Sequence, residues 1–448
     1  VKLYGDAVKW FAEVGNHEPG RATAVHHRAL ACRAYAEAVG GRPGPVHLNF
    51  PLREPLAPVA EELDPADWEG RPEGPWTQVH ASPGTPGATV LQDLAARAAT
   101  SPRGAVVCGS VAEPVAEAVT RLAAETGWPV LAEPTSGVRC GNHDRSHVVA
   151  HYDVVLRSES FATAQAAELV VRVGDTPTSK PLREWLARAG AQVVIDPQGA
   201  WHDPTRMAGD LIVARPAATC DALATALEMR TGERDPRWLE AWRRADALVP
   251  PSLAEAPDPC EPKLLAALAG ALPSGAVVWV SSSMPIRDVE AYFPQTDTPI
   301  RFLANRGANG IDGVVSSAAG AALASGAPTY LLTGELALLH DIGGLLGARR
   351  AGAELTIVCI NNGGGGIFDF LPVAGSADSA AYEEHIATPS GVDLKRVAAL
   401  VEIPHSLAET PEELVAAVPR GGLIELRTDR ARNVELHREI VARVVAQL

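Results

Sequence analysis

At 448 residues the chain is long enough for two or three domains, and 46% hydrophobic side chains supply a sizeable core. Its net charge of −15, with no block of Lys or Arg, argues against a nucleic-acid surface, so any anionic ligand must be met by locally placed basic residues. Six cysteines without a CxxC pair point away from zinc and from a disulfide framework, toward reduced cytoplasmic thiols, and no apolar run reaches the ~18 residues of a membrane helix.

In chain order, Leu3 to Val14 is expected to form an amphipathic helix, Arg21 to Val39 a second helix, and Pro45 to Phe50 a strand. Such a piece has no sheet to join and cannot bury its apolar faces alone, so residues 1–56 read as the C-terminal part of a larger α/β domain. Residues 57–87, rich in Pro, Glu and Gly, follow as a linker with Trp68 and Trp76 as anchors. Over residues 88–249 a βα rhythm predicts a mostly parallel sheet. Its strands are expected at Gly104–Cys108, Pro129–Ala132, Asp153–Leu156, Leu169–Val173 and Ala191–Ile195. The proline-rich stretch 250–262 reads as a second linker. Residues 263–448 then make a third α/β unit, with a helix over Leu264–Leu272 and strands at Ala276–Val280, Pro328–Leu332, Leu355–Ile360 and Leu423–Arg427.

The chemistry concentrates between Thr333 and Pro372. One strand runs into Gly334-Glu335-Leu336, and a second empties into Asn361-Asn362 and four glycines. Ligands of open α/β sheets sit beyond such strand ends. Glycines let backbone approach phosphate oxygens, a helix start offers unpaired N–H groups, and an acid with an Asn carbonyl gives hard oxygen donors for Mg²⁺. A Gly-rich crossover alone would only serve tight turns; acid, spacer and Asn-Asn together suggest a metal-bridged diphosphate.

A Gly-acid pair followed after a helix-length spacer by Asn-Asn resembles the motif of thiamin diphosphate enzymes. The blocks VKLYGDAVKWF, GPVHLNFPLREPL, NRGANGIDG, GELALLHDIGGLL, NNGGGGIFDFLP and RTDRARNVELHR span nearly the whole chain. Together they resemble the 2-succinyl-5-enolpyruvyl-6-hydroxy-3-cyclohexene-1-carboxylate synthase family of menaquinone biosynthesis. The resemblance implies a three-domain α/β architecture of mostly parallel sheets flanked by helices: an incomplete pyrimidine-binding domain, a central domain and a diphosphate-binding domain. It implies thiamin diphosphate with Mg²⁺ or Mn²⁺, and a homodimer or dimer of dimers whose sites lie between subunits. The expected reaction is decarboxylation of 2-oxoglutarate with 1,4-addition of the remaining four-carbon unit to isochorismate.

Carried over residue by residue, the resemblance gives the metal to Glu335, the Asn362 side chain and the Gly364 carbonyl. Gly334 and Leu336 line the diphosphate, and Ile311 props the cofactor. Ser283, Arg287 and Arg306 are expected to meet substrate carboxylates, for which bidentate Arg is the natural receptor. Lys180 matches a central-domain lysine that reaches the site, and Ile367, Phe368 and Leu371 match residues contacting cofactor and substrate. Glu335 departs from the family, which has Asp there; a carboxylate one methylene longer must retract to the same octahedral position. The family's cofactor-activating Glu belongs to the early pyrimidine domain and matches no position here, so the chain is expected to begin late in that domain. Two other readings stay open: another thiamin-dependent 2-oxoacid decarboxylase or ligase, and a non-catalytic subunit.

Overall fold

The computed structural model describes residues 2–54, 69–79, 84–230 and 234–448, and Trp68 lies outside them. Residue contacts divide the chain into two units. The smaller comprises residues 1–85 with Asp196–Trp201 and Ile212–Arg215. In it β1 (Trp10–Glu13) pairs in parallel with β2 (Val46–Asn49), Trp10 opposite Val46, and the helix Arg21–Val39 makes the crossover.

The helix expected over Leu3–Val14 is therefore a 3₁₀ turn at Gly5–Ala7 followed by a strand. Gly5 has φ +52°, which ends any regular helix there, and the run Trp10-Phe11 favours a pleated surface once β2 is available to pair with. Trp76 is flanked by the guanidiniums of Arg28 and Arg71, 5.9 and 5.4 Å from its ring.

The larger unit holds two six-stranded sheets in which the described pairings are all parallel. The first runs β5-β4-β3-β6-β7-β8. Its strands are β3 (Gly104–Cys108), β4 (Val130–Ala132), β5 (Val148–Val149), β6 (Leu169–Val173), β7 (Ala191–Ile195) and β8 (Asp210–Ile212). The second runs β10-β9-β11-β12-β14-β13, from β9 (Ala276–Val280), β10 (Ile300–Ala304), β11 (Thr329–Gly334), β12 (Thr356–Asn361), β13 (His405–Ala408) and β14 (Leu423–Arg427). The interior strands are apolar nearly throughout, as sheets covered on both faces require.

The two sheets share a core. Leu436, Ile440 and Val444 of the last helix, Arg430–Val445, belong to the same apolar cluster as Trp185, Trp238 and Trp242. Arg139, fully buried, donates to the carbonyls of Ala132, Val289, Glu290 and Phe293, so one cation satisfies backbone from both halves.

Two segments differ from expectation. Asp153–Leu156 is a helical turn, Tyr152–Val155; a short apolar run carries no period that separates strand from helix. The stretch 250–262 is helical at both ends, with residues 255–260 irregular between them. Pro250 and Pro251 sit in the first turn of Val249–Ala254, and Pro262 in that of Glu261–Ala267, where a missing N–H costs nothing. In the second sheet the chain leaves β9 for β10 on one side and returns to β11 on the other, which opens a crevice beyond the strand ends at β9 and β11.

Candidate active site

A cavity of about 410 Å³ occupies that crevice, walled by the segments that follow β9, β10, β11 and β12. Eleven of the thirteen site residues expected from the sequence line it: Ser283, Arg287, Arg306, Ile311, Gly334, Glu335, Leu336, Asn362, Gly364, Ile367 and Phe368. Lys180 and Leu371 do not. Lys180 opens the helix Lys180–Leu186 with its side chain 78% exposed, 3.6 Å from Glu184 one turn on. Leu371 ends a 3₁₀ turn, Gly366–Phe370, and faces solvent.

Glu335 begins a helix directly after β11 and is 3% exposed. Its Oε1 accepts a 2.6 Å hydrogen bond from the Gly364 N–H, and burial pushes its carboxyl up to about 7. Across from it, Asn362 Nδ2 donates to Glu261 Oε1 at 3.0 Å, while Asn362 Oδ1 is buried with no partner. Glu261 is itself 1% exposed; its Oε1 also accepts from Thr428 Oγ1 at 2.7 Å, and its Oε2 has no partner. Burial raises the Glu261 carboxyl as well, with Asp288 adding to the shift.

Buried polar atoms are almost always satisfied, so unpaired oxygens gathered at one pocket wall beside a buried acid make a donor set of the kind a cation would satisfy. A carboxylate, an amide oxygen and backbone carbonyls are the hard ligands that Mg²⁺ or Mn²⁺ takes, so the residues present fit such an ion.

The glycine run is forced by close approach. Gly364 has φ +141°, and a Cβ there would lie 2.6 Å from the Ala387 carbonyl oxygen and 2.7 Å from Arg430 Nη1. Arg430 is held by Asp369 at 2.9 Å and Glu383 at 2.5 Å, so it cannot yield freely. A Cβ on Gly366 would meet Asn362 Nδ2 at 2.9 Å. The loop therefore packs its backbone against Ala387, Arg430 and Asn362 with no room for a side chain in between.

On the opposite wall, Ser283 has φ +73°, a strained conformation for a residue with a Cβ, at the start of the helix Met284–Tyr292. Its carbonyl accepts from Arg287 Nη1 at 2.5 Å. Arg306 Nη1 lies 3.5 Å from Ser282 Oγ. Partial burial and the like charge of Arg306 lower the Arg287 pKa. Two guanidiniums repelling in one cavity are arranged for anions.

Sequence reasoning missed Glu261, Ser282 and Asn309, all lining residues. Glu261 stands 101 positions from the amide it holds, inside a stretch whose prolines mimic a linker, and no local signal marks it. His437, which carried no chemistry in the sequence, is buried against Asp288 at 2.9 Å.

Comparison with known proteins identifies the family. Residues 64–251 match the family model described as the middle domain of thiamine pyrophosphate, and residues 287–423 that of the thiamine pyrophosphate enzyme C-terminal TPP binding domain. A 2-succinyl-5-enolpyruvyl-6-hydroxy-3-cyclohexene-1-carboxylate synthase of Myxococcus xanthus is 41% identical over all of this chain and 78% of its own length. Proteins of the same name from Geobacillus thermodenitrificans and Natronomonas pharaonis are 38% and 37% identical, over 100% and 96% of this chain and 77% and 76% of theirs. The chain belongs to the 2-succinyl-5-enolpyruvyl-6-hydroxy-3-cyclohexene-1-carboxylate synthase family.

Proposed function

We propose that the cavity beyond β9 and β11 binds thiamin diphosphate through Mg²⁺ or Mn²⁺ and serves the reaction for which the relatives are named. That reaction is decarboxylation of 2-oxoglutarate and 1,4-addition of the remaining four-carbon unit to isochorismate. The observation that carries the reading is the buried pair of Glu335 and Asn362 Oδ1, an acid and an unpartnered oxygen at the ends of adjacent strands.

In this reading Glu335, Asn362 Oδ1 and the Gly364 carbonyl hold the cation, and Gly334 and Leu336 line the diphosphate. Bound thiamin diphosphate supplies the electron sink that decarboxylation and carbon–carbon bond formation need. The protein's part is to bind, orient and shield. Arg287 and Arg306 hold the carboxylates of the two acids in register, with Ser283 beside them, and Ile311, Ile367 and Phe368 keep the reacting carbons in an apolar surround. Lys180 and Leu371, outside the cavity wall, take no part in this scheme. A cytoplasmic homodimer or dimer of dimers with shared sites completes the proposal; no helix among the described residues is long and apolar enough to cross a membrane.

The test is incubation of the purified protein with 2-oxoglutarate, isochorismate, thiamin diphosphate and Mg²⁺, with product identified by mass. CO₂ release without an isochorismate adduct would assign it instead to the plain 2-oxoacid decarboxylases. Failure to bind thiamin diphosphate in the presence of Mg²⁺ would sink the reading altogether.

A further inference from the structure

We propose that Glu261 is a positioning residue for the cation site, fixing the Asn362 amide so that Oδ1 rather than Nδ2 faces the metal. The inference rests on the cation reading above. Glu261 Oε1 lies 3.0 Å from Asn362 Nδ2 and accepts from Thr428 Oγ1 as well, and in its carboxylate form, which only accepts, Glu261 can be faced only by the NH₂ end of the amide. A turned amide would set two oxygens together and aim two N–H donors at the cation. Gly366 leaves room for Nδ2 in that position, since a Cβ there would lie 2.9 Å from it.

Glu261 is held in turn. Thr428 Oγ1 donates to the same Oε1 at 2.7 Å, and the Thr428 N–H donates to the Asn361 carbonyl at 3.1 Å. The clamp thus closes between the end of β12 and the segment after β14, and Glu261 reaches it from the first turn of its own helix. Its product is the buried Asn362 Oδ1 with no protein partner, an oxygen committed in advance to a hard ligand. The neighbouring Asn361 uses the same device on the other side of the chain: its Nδ2 donates to Glu425 at 2.8 Å, and there the acid is fully paired, with His405 and Arg427. One amide is turned toward the sheet and the other toward the cavity, each by a buried glutamate.

The experiment is titration of the protein with Mn²⁺ in the presence of thiamin diphosphate, free Mn²⁺ being read by electron paramagnetic resonance. Glu261→Leu removes the acceptor at similar volume and is expected to weaken Mn²⁺ binding about 10- to 100-fold, as loss of a ligand-orienting partner does. Glu261→Gln keeps an acceptor oxygen and should bind Mn²⁺ close to the unsubstituted protein. Adding Asn362→Asp to Glu261→Leu supplies two equivalent oxygens that need no orientation, and should recover most of the loss. The apparent Mg²⁺ activation constant should rise in Glu261→Leu while kcat at saturating Mg²⁺ changes little.

Unchanged Mn²⁺ affinity in Glu261→Leu overturns the proposal. So does an equal loss in Glu261→Gln, which would make the charge rather than the amide's direction decisive. If Glu261→Leu does not fold, Thr428→Val loosens the clamp from its other end, and an unchanged affinity there is equally fatal. Absence of Mn²⁺ binding by the unsubstituted protein removes the cation reading and this inference with it; normal binding there with normal binding in the variants removes the inference alone.

Discussion

The larger unit contains the same architectural idea twice, and the two crevices differ in how their polar groups are paired. In the first sheet the chain switches direction between β3 and β6, as the second does between β9 and β11. At the first switch the loops close on one another: the Asp175 N–H donates to the Ser110 carbonyl at 2.9 Å, and a Cβ on Gly109 would lie 1.7 Å from the Asp175 carbonyl oxygen. Glu133, buried beside that crevice, has one oxygen satisfied by Thr178 and the other by Thr135. At the second switch Glu261 Oε2 and Asn362 Oδ1 at the wall have no protein partner, and two arginines line the cavity. Crevice position is a property of the fold; unsatisfied donor sets decide which crevice binds.

The largest effect is expected at the buried acid beside those oxygens. Glu335→Gln keeps the side chain's size and the hydrogen bond from Gly364 but removes the charge, and should lower cation-dependent turnover about a thousandfold. The cation-free protein should meanwhile be as stable as the parent or more so, since a carboxyl that burial has pushed up to about 7 is gone. Parallel measurement of turnover and urea unfolding without metal checks both halves, and a loss of stability would mean that Glu335 is a structural acid like Glu133. Arg306→Ala comes next: KM for one of the two acids should rise about 10- to 100-fold, the worth of a charge-assisted hydrogen bond, with unfolding little changed.

The sequence carried the second crevice well because its chemistry is local. Gly334-Glu335 and Asn361-Asn362 are each contiguous, and adjacent strands bring them together without further instruction. Glu261 was illegible for the opposite reason. Its partners Asn362 and Thr428 lie 101 and 167 positions away, and only the folded chain puts them within hydrogen-bond reach. Near the N-terminus, Trp10–Glu13 was misread because strand and helix periods are both compatible with a short apolar run, and pairing with Val46–Asn49 decides between them. Lys180 is a different case: its neighbours in sequence match a site loop, and in the folded chain it opens a helix with its side chain exposed, outside the cavity wall.

The first crevice can be broken on its own. Gly109→Ala drives a methyl group into the Asp175 carbonyl and should cost about 1–3 kcal/mol of unfolding free energy or more, with Mn²⁺ affinity of the folded fraction unchanged. Coupled loss of cation affinity would show that the two crevices do not act separately. A smaller effect tests the reach of the acid. Glu335→Asp should raise Mg²⁺ affinity about fivefold, roughly 1 kcal/mol, if the longer side chain must retract to meet the ion. Unchanged affinity, read by titration calorimetry with thiamin diphosphate present, would mean that the second crevice is already shaped for Glu.

The smallest effect lies behind the cavity wall, at His437 and Asp288. His437 is buried, and burial opposes its protonation, yet the charge and hydrogen bond of Asp288 outweigh that cost and raise its pKa, with Glu261 adding attraction. Asp288 adjoins Arg287 on the helix Met284–Tyr292, so the pair holds the far face of the element that presents an arginine to the cavity. For a base whose folded pKa lies above the unfolded value near 6.5, the stabilisation is complete below that value and is lost as pH rises through the folded pKa. The parent should therefore lose on the order of 1 kcal/mol more stability between acid and alkaline pH than His437→Gln, which keeps an N–H for Asp288 but does not titrate. Urea unfolding of both proteins across that window checks the difference. Equal slopes would place the pH dependence in the buried acids of the cavity wall, Glu335 and Glu261, instead.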